Sequence, residues 1–301
     1  MPVATSADHA RPQAPSAPTV LRILLGAQLR RLRESRGISA AEAARAIRGS
    51  ESKISRIELG RNSVREVDIA DLLDLYGITE TAEREQLLNI ASQANQHGWW
   101  HHYVDVLPSW FQAYLGLEQS ASHIRSFEVQ FVPGLLQTEE YSLAVLELGS
   151  FPHESLERMV QVRQERQRRF AAGGFRLSAV IDEGALRRPV GSASVMHGQL
   201  RHLLDIANQP GLTIQVTPLR TGASYAAPGS FSILSFAATD LPDVVYVEQL
   251  TSALYLDKPS DVERYSQALD LISATSTGPE ETRQFIWSLL AEQEVNSARH
   301  G

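Results

Sequence analysis

Glycine recurs at Gly37, Gly49, Gly60 and Gly77, and no helix between these points has room for more than a few turns. Inside a helix glycine costs about 1 kcal/mol relative to alanine, and it is favoured just past a helix end. The spacing therefore predicts a bundle of short helices. The intervening segments agree. From Leu21, the residues Leu25, Leu29 and Leu32 recur at helical spacing with arginines on the other faces. Ser39-Ala40-Ala41-Glu42 forms a capping box, opening a helix that turns Ala43, Ala44 and Ile47 inward. Arg48-Gly49 is a tight break. Ser50 caps a third helix with Ile54 and Ile57 as its apolar stripe. A fourth carries Val67, Ile69, Leu72 and Leu73, and a fifth runs from about Ala82 to Gln96. Residues 20–96 thus read as an all-α, five-helix domain. Residues 1–19, with Pro2, Pro12, Pro15 and Pro18 spaced by Ala, Ser and Gln, read as a disordered leader.

Charge is unevenly divided along the chain as well. Val20–Glu66 holds eleven basic residues against five acids, a net +6, and residues 1–19 cancel. The formal −7 of the whole chain therefore leaves −13 on the remainder. A small basic module ahead of a large acidic one is the footprint of a nucleic-acid-binding head on a body with another task.

After Gly98 the texture changes. Trp99, Trp100, Tyr103, Trp110, Phe111 and Tyr114 crowd into a few turns. Helices are expected to about Leu148, broken at Pro108 and Pro133-Gly134, and a charged helix over 153–170. Phe175–Ile181, Leu212–Pro218, Phe231–Phe236, Val244–Val247 and Ala253–Leu256 are short β-branched or aromatic runs between breakers, expected as strands of a small sheet. Helices are expected at about 194–208, 261–274 and 280–298. Residues 97–301 thus read as a mixed α+β regulatory and dimerisation domain, and the chain as α+β. Its 301 residues suit two domains. Cysteine is absent, which removes disulfides, thiol chemistry and Cys-ligated zinc. No apolar run suggests a membrane span or secretory signal, so the expected location is cytoplasmic, on the nucleoid when DNA-bound.

A helix-turn-helix places the N-terminal side chains of its second motif helix in the major groove while that helix's apolar stripe holds the bundle. Glu51, Ser52, Lys53, Ser55 and Arg56 are left to face DNA. Ser39 and Ser50 open the two helices and join the DNA-contacting set, and Arg61 is placed for a phosphate. The stretch Gly37–Ala44, then Ile47, Ser50 and Ile54-Ser55-Arg56-Ile57-Glu58-Leu59-Gly60, resembles the Xre/Cro-like helix-turn-helix family. Two positions depart from its pattern, since many members have glutamine where Ala40 and Glu51 stand. A glutamate at 51 repels phosphate but can accept from cytosine N4. Glu58 reads as a structural partner of a nearby arginine.

The rest carries a second resemblance. Gly98-Trp99-Trp100, Leu117-Glu118, Val132-Pro133-Gly134-Leu135-Leu136-Gln137-Thr138, Asp182-Glu183 with Leu186-Arg187-Arg188, and Val245–Glu248 resemble the domain of unknown function behind Xre-type heads in many actinobacterial, streptomycete-type developmental regulators. The resemblance implies a transcriptional regulator, often encoded beside a small acidic partner protein in an antitoxin-like arrangement. Three constellations bear on chemistry. His97, His101, His102 and Asp105 have metal-ligand spacing, but Gly98 interrupts it and no metal is expected. Asp182, Glu183 and Glu248 end strands and can form an acid/base pair or salt bridges to Arg187 and Arg188. Gly222 and Gly229 lack phosphate-loop spacing, and there is no nucleophile elbow.

The expectation is a sequence-specific regulator of double-stranded operator DNA, a homodimer and not an enzyme, with no cofactor. Its C-terminal domain senses a partner protein or small ligand through Trp99, Trp100, Tyr103, Trp110, Glu183, Arg187 and Glu248. The alternative is a nucleotide-directed enzyme with a DNA-binding head for targeting or autoregulation.

Overall fold

The computed structural model describes residues 18–60, 64–95, 98–149, 151–221, 229–237 and 242–300. The chain divides into two compact units between Gln96 and His97. Of the expected leader, residues 1–17 lie outside the described residues, whereas Pro18 and Thr19 already belong to the first helix.

The first unit holds α1 (Pro18–Ser35), α2 (Ala40–Ala46), α3 (Glu51–Glu58), α4 (Glu66–Leu75) and α5 (Thr81–Ala94). Its core is one apolar cluster, with Leu25 and Leu29 of α1, Ile54 and Ile57 of α3, Ile69, Leu72 and Leu73 of α4, and Leu87 and Ala91 of α5. The breaks fall at the expected glycines. Arg48, in the break after α2, adopts φ 50°.

Two glycines let α3 approach α1 more closely than side chains permit. A Cβ on Gly26 would lie 2.4 Å from the carbonyl oxygen of Ile57. One on Gly60, at φ +63°, would lie 2.7 Å from Ile23 Cα. Both obstacles are backbone and cannot swing aside. Beside this crossing Arg33 grips Glu58 with two hydrogen bonds, Nε to Oε1 at 2.6 Å and Nη2 to Oε2 at 2.9 Å. Its Nη1 also donates to the Ile38 carbonyl at 3.0 Å. One guanidinium thus ties the end of α3 to α1 and to the loop entering α2, as the structural reading of Glu58 anticipates.

The second unit is built on a six-stranded mixed sheet ordered β3-β2-β1-β4-β5-β6. The strands are β1 (Ala121–Glu128), β2 (Arg176–Asp182), β3 (Leu212–Thr217), β4 (Phe231–Phe236), β5 (Val244–Glu248) and β6 (Ala253–Leu256). Strands β1, β2 and β3 run parallel, with Ile124 opposite Leu177 and Leu177 opposite Leu212. Strands β4, β5 and β6 add antiparallel on the other side of β1. Around the sheet lie α6 (Ser109–Ser120), α7 (Glu139–Glu147), α8 (His153–Ala171), α9 (Glu183–Arg187), α10 (Ala193–Ile206), α11 (Pro259–Thr275) and α12 (Pro279–His300). Helix α11 covers the face carrying Phe127, Ile233 and Val245 through Leu269 and Ile272. The opposite face meets α6, where Tyr114 packs at a tilt against Tyr246 with ring centres 4.4 Å apart. No helix among the described residues is long and apolar enough to cross a membrane.

The central strand corrects the expectation of helices up to Leu148. The segment Ala-Ser-His-Ile-Arg-Ser-Phe-Glu lacks an apolar run, and its larger polar residues find partners inside the unit. His123 Nε2 meets Ser178 Oγ at 2.9 Å, and Arg125 pairs with Asp270 of α11. Glu183–Arg187 form a short helix whose start is capped by Asp182.

Replacing Gly26 with alanine tests the crossing. Helix propensity favours alanine by about 1 kcal/mol, but the backbone clash should outweigh this and destabilise the head by a net amount of about 1–3 kcal/mol. Trp99, Trp100, Trp110 and Trp287 all belong to the second unit. Far-ultraviolet dichroism should therefore show an earlier loss of helix while the tryptophan fluorescence transition stays in place.

Candidate functional site

The head presents α3 from a capped start. Ser50 Oγ accepts from the Lys53 N–H at 3.2 Å. At α2, Ser39 Oγ accepts from the Glu42 N–H while the Glu42 carboxylate accepts from the Ser39 N–H, completing the capping box. The hydroxyls of Ser39 and Ser50 therefore fix where the two helices begin. With Ile54 and Ile57 buried, Glu51, Ser52, Ser55 and Arg56 are left exposed on α3. Arg56 Nε donates to the Ser52 carbonyl one turn back, at 3.2 Å. Arg45 on α2 and Arg48 in the break are also exposed. Arg61 lies outside the described residues.

Lys53 behaves differently from its neighbours. Its Nζ donates to Asp68 Oδ2 of α4 at 2.8 Å, and Arg65 holds the other carboxylate oxygen at 2.7 Å. Asp68 is 2 % exposed. Burial pushes its carboxyl up, but the hydrogen bonds from Arg65 and Lys53 outweigh that and keep its pKa below the usual carboxylate value. The Lys53 ammonium is thus already engaged within the head, closing α3 against α4.

In the second unit the sequence-selected residues do not converge. Trp99, Trp100 and Tyr103 form a 3₁₀ turn on α8, with Arg169 over the Trp99 ring at 4.9 Å and Arg158 over Tyr103 at 5.5 Å. Trp110 opens α6, and its carbonyl accepts from Tyr255 Oη at 2.6 Å. Glu183 accepts from Arg187 Nε at 2.5 Å and from the Leu219 N–H at 2.9 Å, and Arg187 reaches on to Glu292. His101, His102 and Asp105 are exposed, Asp105 pairs with Arg158, and His97 lies outside the described residues. A cleft of about 260 Å³ opens between α11 and the β5–β6 hairpin, lined by Gly229, Ser230, Phe231, Val247, Glu248, Gln249, Leu254 and Tyr265. Glu248 is the expected ligand residue that reaches it.

A polar cluster missed by sequence reasoning lies at the carboxyl end of β1. Arg166 of α8 and Glu118 of α6 form a buried two-bond pair, Nε to Oε1 at 2.8 Å and Nη2 to Oε2 at 2.7 Å. The same guanidinium lies 5.4 Å from the ring centres of Phe111 and Tyr114. The Pro-Gly-Leu-Leu-Gln-Thr segment folds over it. Gln137 Nε2 donates to the Val132 carbonyl at 2.6 Å, its Oε1 accepts from Arg163, and Gln167 Nε2 donates to the Gly134 and Gln137 carbonyls. Burial holds Arg163 down at about 10. Glu128, at the strand end, is raised to about 7 because burial and the nearby Glu248 carboxylate outweigh a Ser230 hydrogen bond and Arg166. The conspicuous Gln-Thr motif pointed to this place, but Glu128 was invisible once its strand had been read as helix.

A raised acid favours the folded state while protonated. The contribution of Glu128 is complete below its ordinary value near 4.5 and is lost as pH rises through about 7. Allowing for its partial exposure, the second unit should lose about 2–3 kcal/mol between about pH 5 and about pH 8. Urea unfolding followed by tryptophan fluorescence should show that slope in the parent chain and a flat response in Glu128→Gln.

Comparison with protein families matches residues 24–87 to a helix-turn-helix domain and residues 111–288, more than half of the chain, to a domain described as "Domain of unknown function (DUF5753)". No curated protein and no solved structure matches. The helix-turn-helix match coincides with the unit that presents α3, which makes the chain a DNA-binding regulator. By its larger match, the chain belongs to the family defined by the domain of unknown function DUF5753.

Proposed function

We propose that the chain is an Xre-type, sequence-specific transcriptional regulator that binds operator DNA as a homodimer. The observation that carries the reading is the exposed start of α3. Glu51, Ser52, Ser55 and Arg56 face outward from a helix whose other side is locked into the head, within a segment of net charge +6. Arginine reads guanine through two hydrogen bonds, and serine takes bases or phosphates. Helix α2 crosses the backbone, where Arg45 and Arg48 meet phosphates. Lys53 acts mainly by orienting α3 through Asp68. One such head covers few base pairs, so two half-sites about one helical turn apart are read together.

The acidic second unit receives a signal, from a small molecule or from a partner such as the small acidic proteins encoded beside the regulators it resembles. It is a receiver rather than a catalyst. Glu183 and Asp182 are spent on Arg187 and on capping α9, and Glu248 accepts from Tyr246 Oη at 2.9 Å. The protein works in the cytoplasm, on the nucleoid when bound. The enzyme reading draws on Glu128, near neutrality beside Glu248. A nucleotide-directed activity that vanished in a folded Glu128→Gln chain would restore it.

Selection from a random duplex library with the intact chain supplies the operator. On that site Arg56→Ala should weaken binding about tenfold or more, a loss within the roughly 1–3 kcal/mol of a good base contact. Arg45→Ala should weaken all sequences alike and lower the salt slope by about 0.9. An operator bound equally well by Arg56→Ala would remove α3 as the reading helix.

A further inference from the structure

The two edges of the sheet are treated differently. At β3 the outer backbone is met at Val216. The Val216 N–H donates to Thr277 Oγ1 at 3.0 Å, and the Thr277 N–H donates to the Val216 carbonyl at 2.9 Å. At β6 it is open. Val247 and Val245 lie opposite Leu254 and Leu256, and the hairpin closes with the Gln249 N–H donating to the Ser252 carbonyl at 2.9 Å. Antiparallel pairs alternate, so Leu254 and Leu256 bond inward while Ala253 and Tyr255 turn their N–H and C=O groups outward. Among the described residues no group meets them.

Open edges are normally guarded by lysine, proline or a bulge. Strand β6, Ala-Leu-Tyr-Leu, has no charged residue and no proline. Gln249–Leu256 carries no charge at all, within a second unit of net −8. Leu250 at the hairpin tip is 94 % exposed and Leu254 46 %. Two copies of this acidic unit repel on average, and this edge carries no charge to oppose their contact.

We propose that β6 pairs antiparallel with β6 of a second copy, joining two sheets across a two-fold axis at Leu254. This register is self-complementary. Ala253 of each copy faces Tyr255 of the other, so the outward groups satisfy one another, and the two Leu254 side chains meet in the close, non-bonded position between them. The assignment rests on the homodimer reading and specifies its interface.

The absence of cysteine makes the test direct. Residues opposed at a non-bonded antiparallel position lie about 4.5 Å apart at Cα, within disulfide reach. Full-length Leu254→Cys should therefore oxidise to a covalent dimer at micromolar concentration, while Leu271→Cys, an exposed site on α11, should stay monomeric on a denaturing gel. Ala253→Pro removes an outward donor and keeps the hairpin ladder, and Leu254→Glu sets like charges against each other. Both should keep the dichroism and tryptophan fluorescence of the parent, shift light scattering from dimer to monomer, and lower affinity for a two-half-site operator about tenfold or more. A parent chain that is monomeric with and without DNA overturns the homodimer reading itself. A parent dimer that survives both variants and gives no Leu254→Cys cross-link overturns only the β6 pairing.

Discussion

Presentation of α3 depends on how closely it can press against α1. A helix of eight residues is too short to hold itself in water, so tertiary contact must hold it. The contact is backbone against backbone at Gly26 and Gly60, with the Arg33–Glu58 pair alongside. Both partners of that pair are largely buried, at 12 % and 9 % side-chain exposure. Breaking such a pair one-sidedly costs several kcal/mol because the remaining charge stays buried. The head thus orients α3 on the α1 side through a charged contact. Lys53 and Asp68 serve the same end on the α4 side. A residue chosen from sequence as a DNA reader is thereby drawn into the scaffold that aims its neighbours.

The second unit follows a related logic around a polar centre. Its middle strand carries His123, Arg125, Ser126 and Glu128, and the adjacent helices supply Glu118, Arg163 and Arg166. Charges buried this way are costly unless paired. The structure meets the cost with the two-bond Arg166–Glu118 pair, the stacked Phe111 and Tyr114 rings, and the amides of Gln137 and Gln167. Glu128 is the least compensated member, and its raised pKa records this. The two sheet edges complete the picture, β3 met by Thr277 at Val216 and β6 open among the described residues.

Much of this was legible in the residues. Gly37, Gly49, Gly60 and Gly77 punctuate the head where its helices end, and the capping box at Ser39 and the Ile54–Ile57 stripe work as local chemistry requires. These features depend on neighbours a turn away, so a single sequence carries them. The five apolar strands could be read for the same reason. β1 could not, because its polar side chains are satisfied by Ser178 and Asp270, far away in the chain. Gly26 could not either: within α1 it is merely a poor helix former, and its purpose exists only where Ile57 crosses it.

The sequence by itself determined the order of the modules, the division of charge between them, the helix limits of the head and the side of α3 that is apolar. All follow from short-range propensity, periodicity and composition. Tertiary structure alone decided that Lys53 turns to Asp68, that Glu58 meets Arg33, that the aromatic residues from Trp99 to Trp110 spread over α8 and β6, and that Glu128 sits among buried charges. Those outcomes depend on pairings between residues distant in the chain, whose energies come from burial and geometry that a linear pattern does not contain.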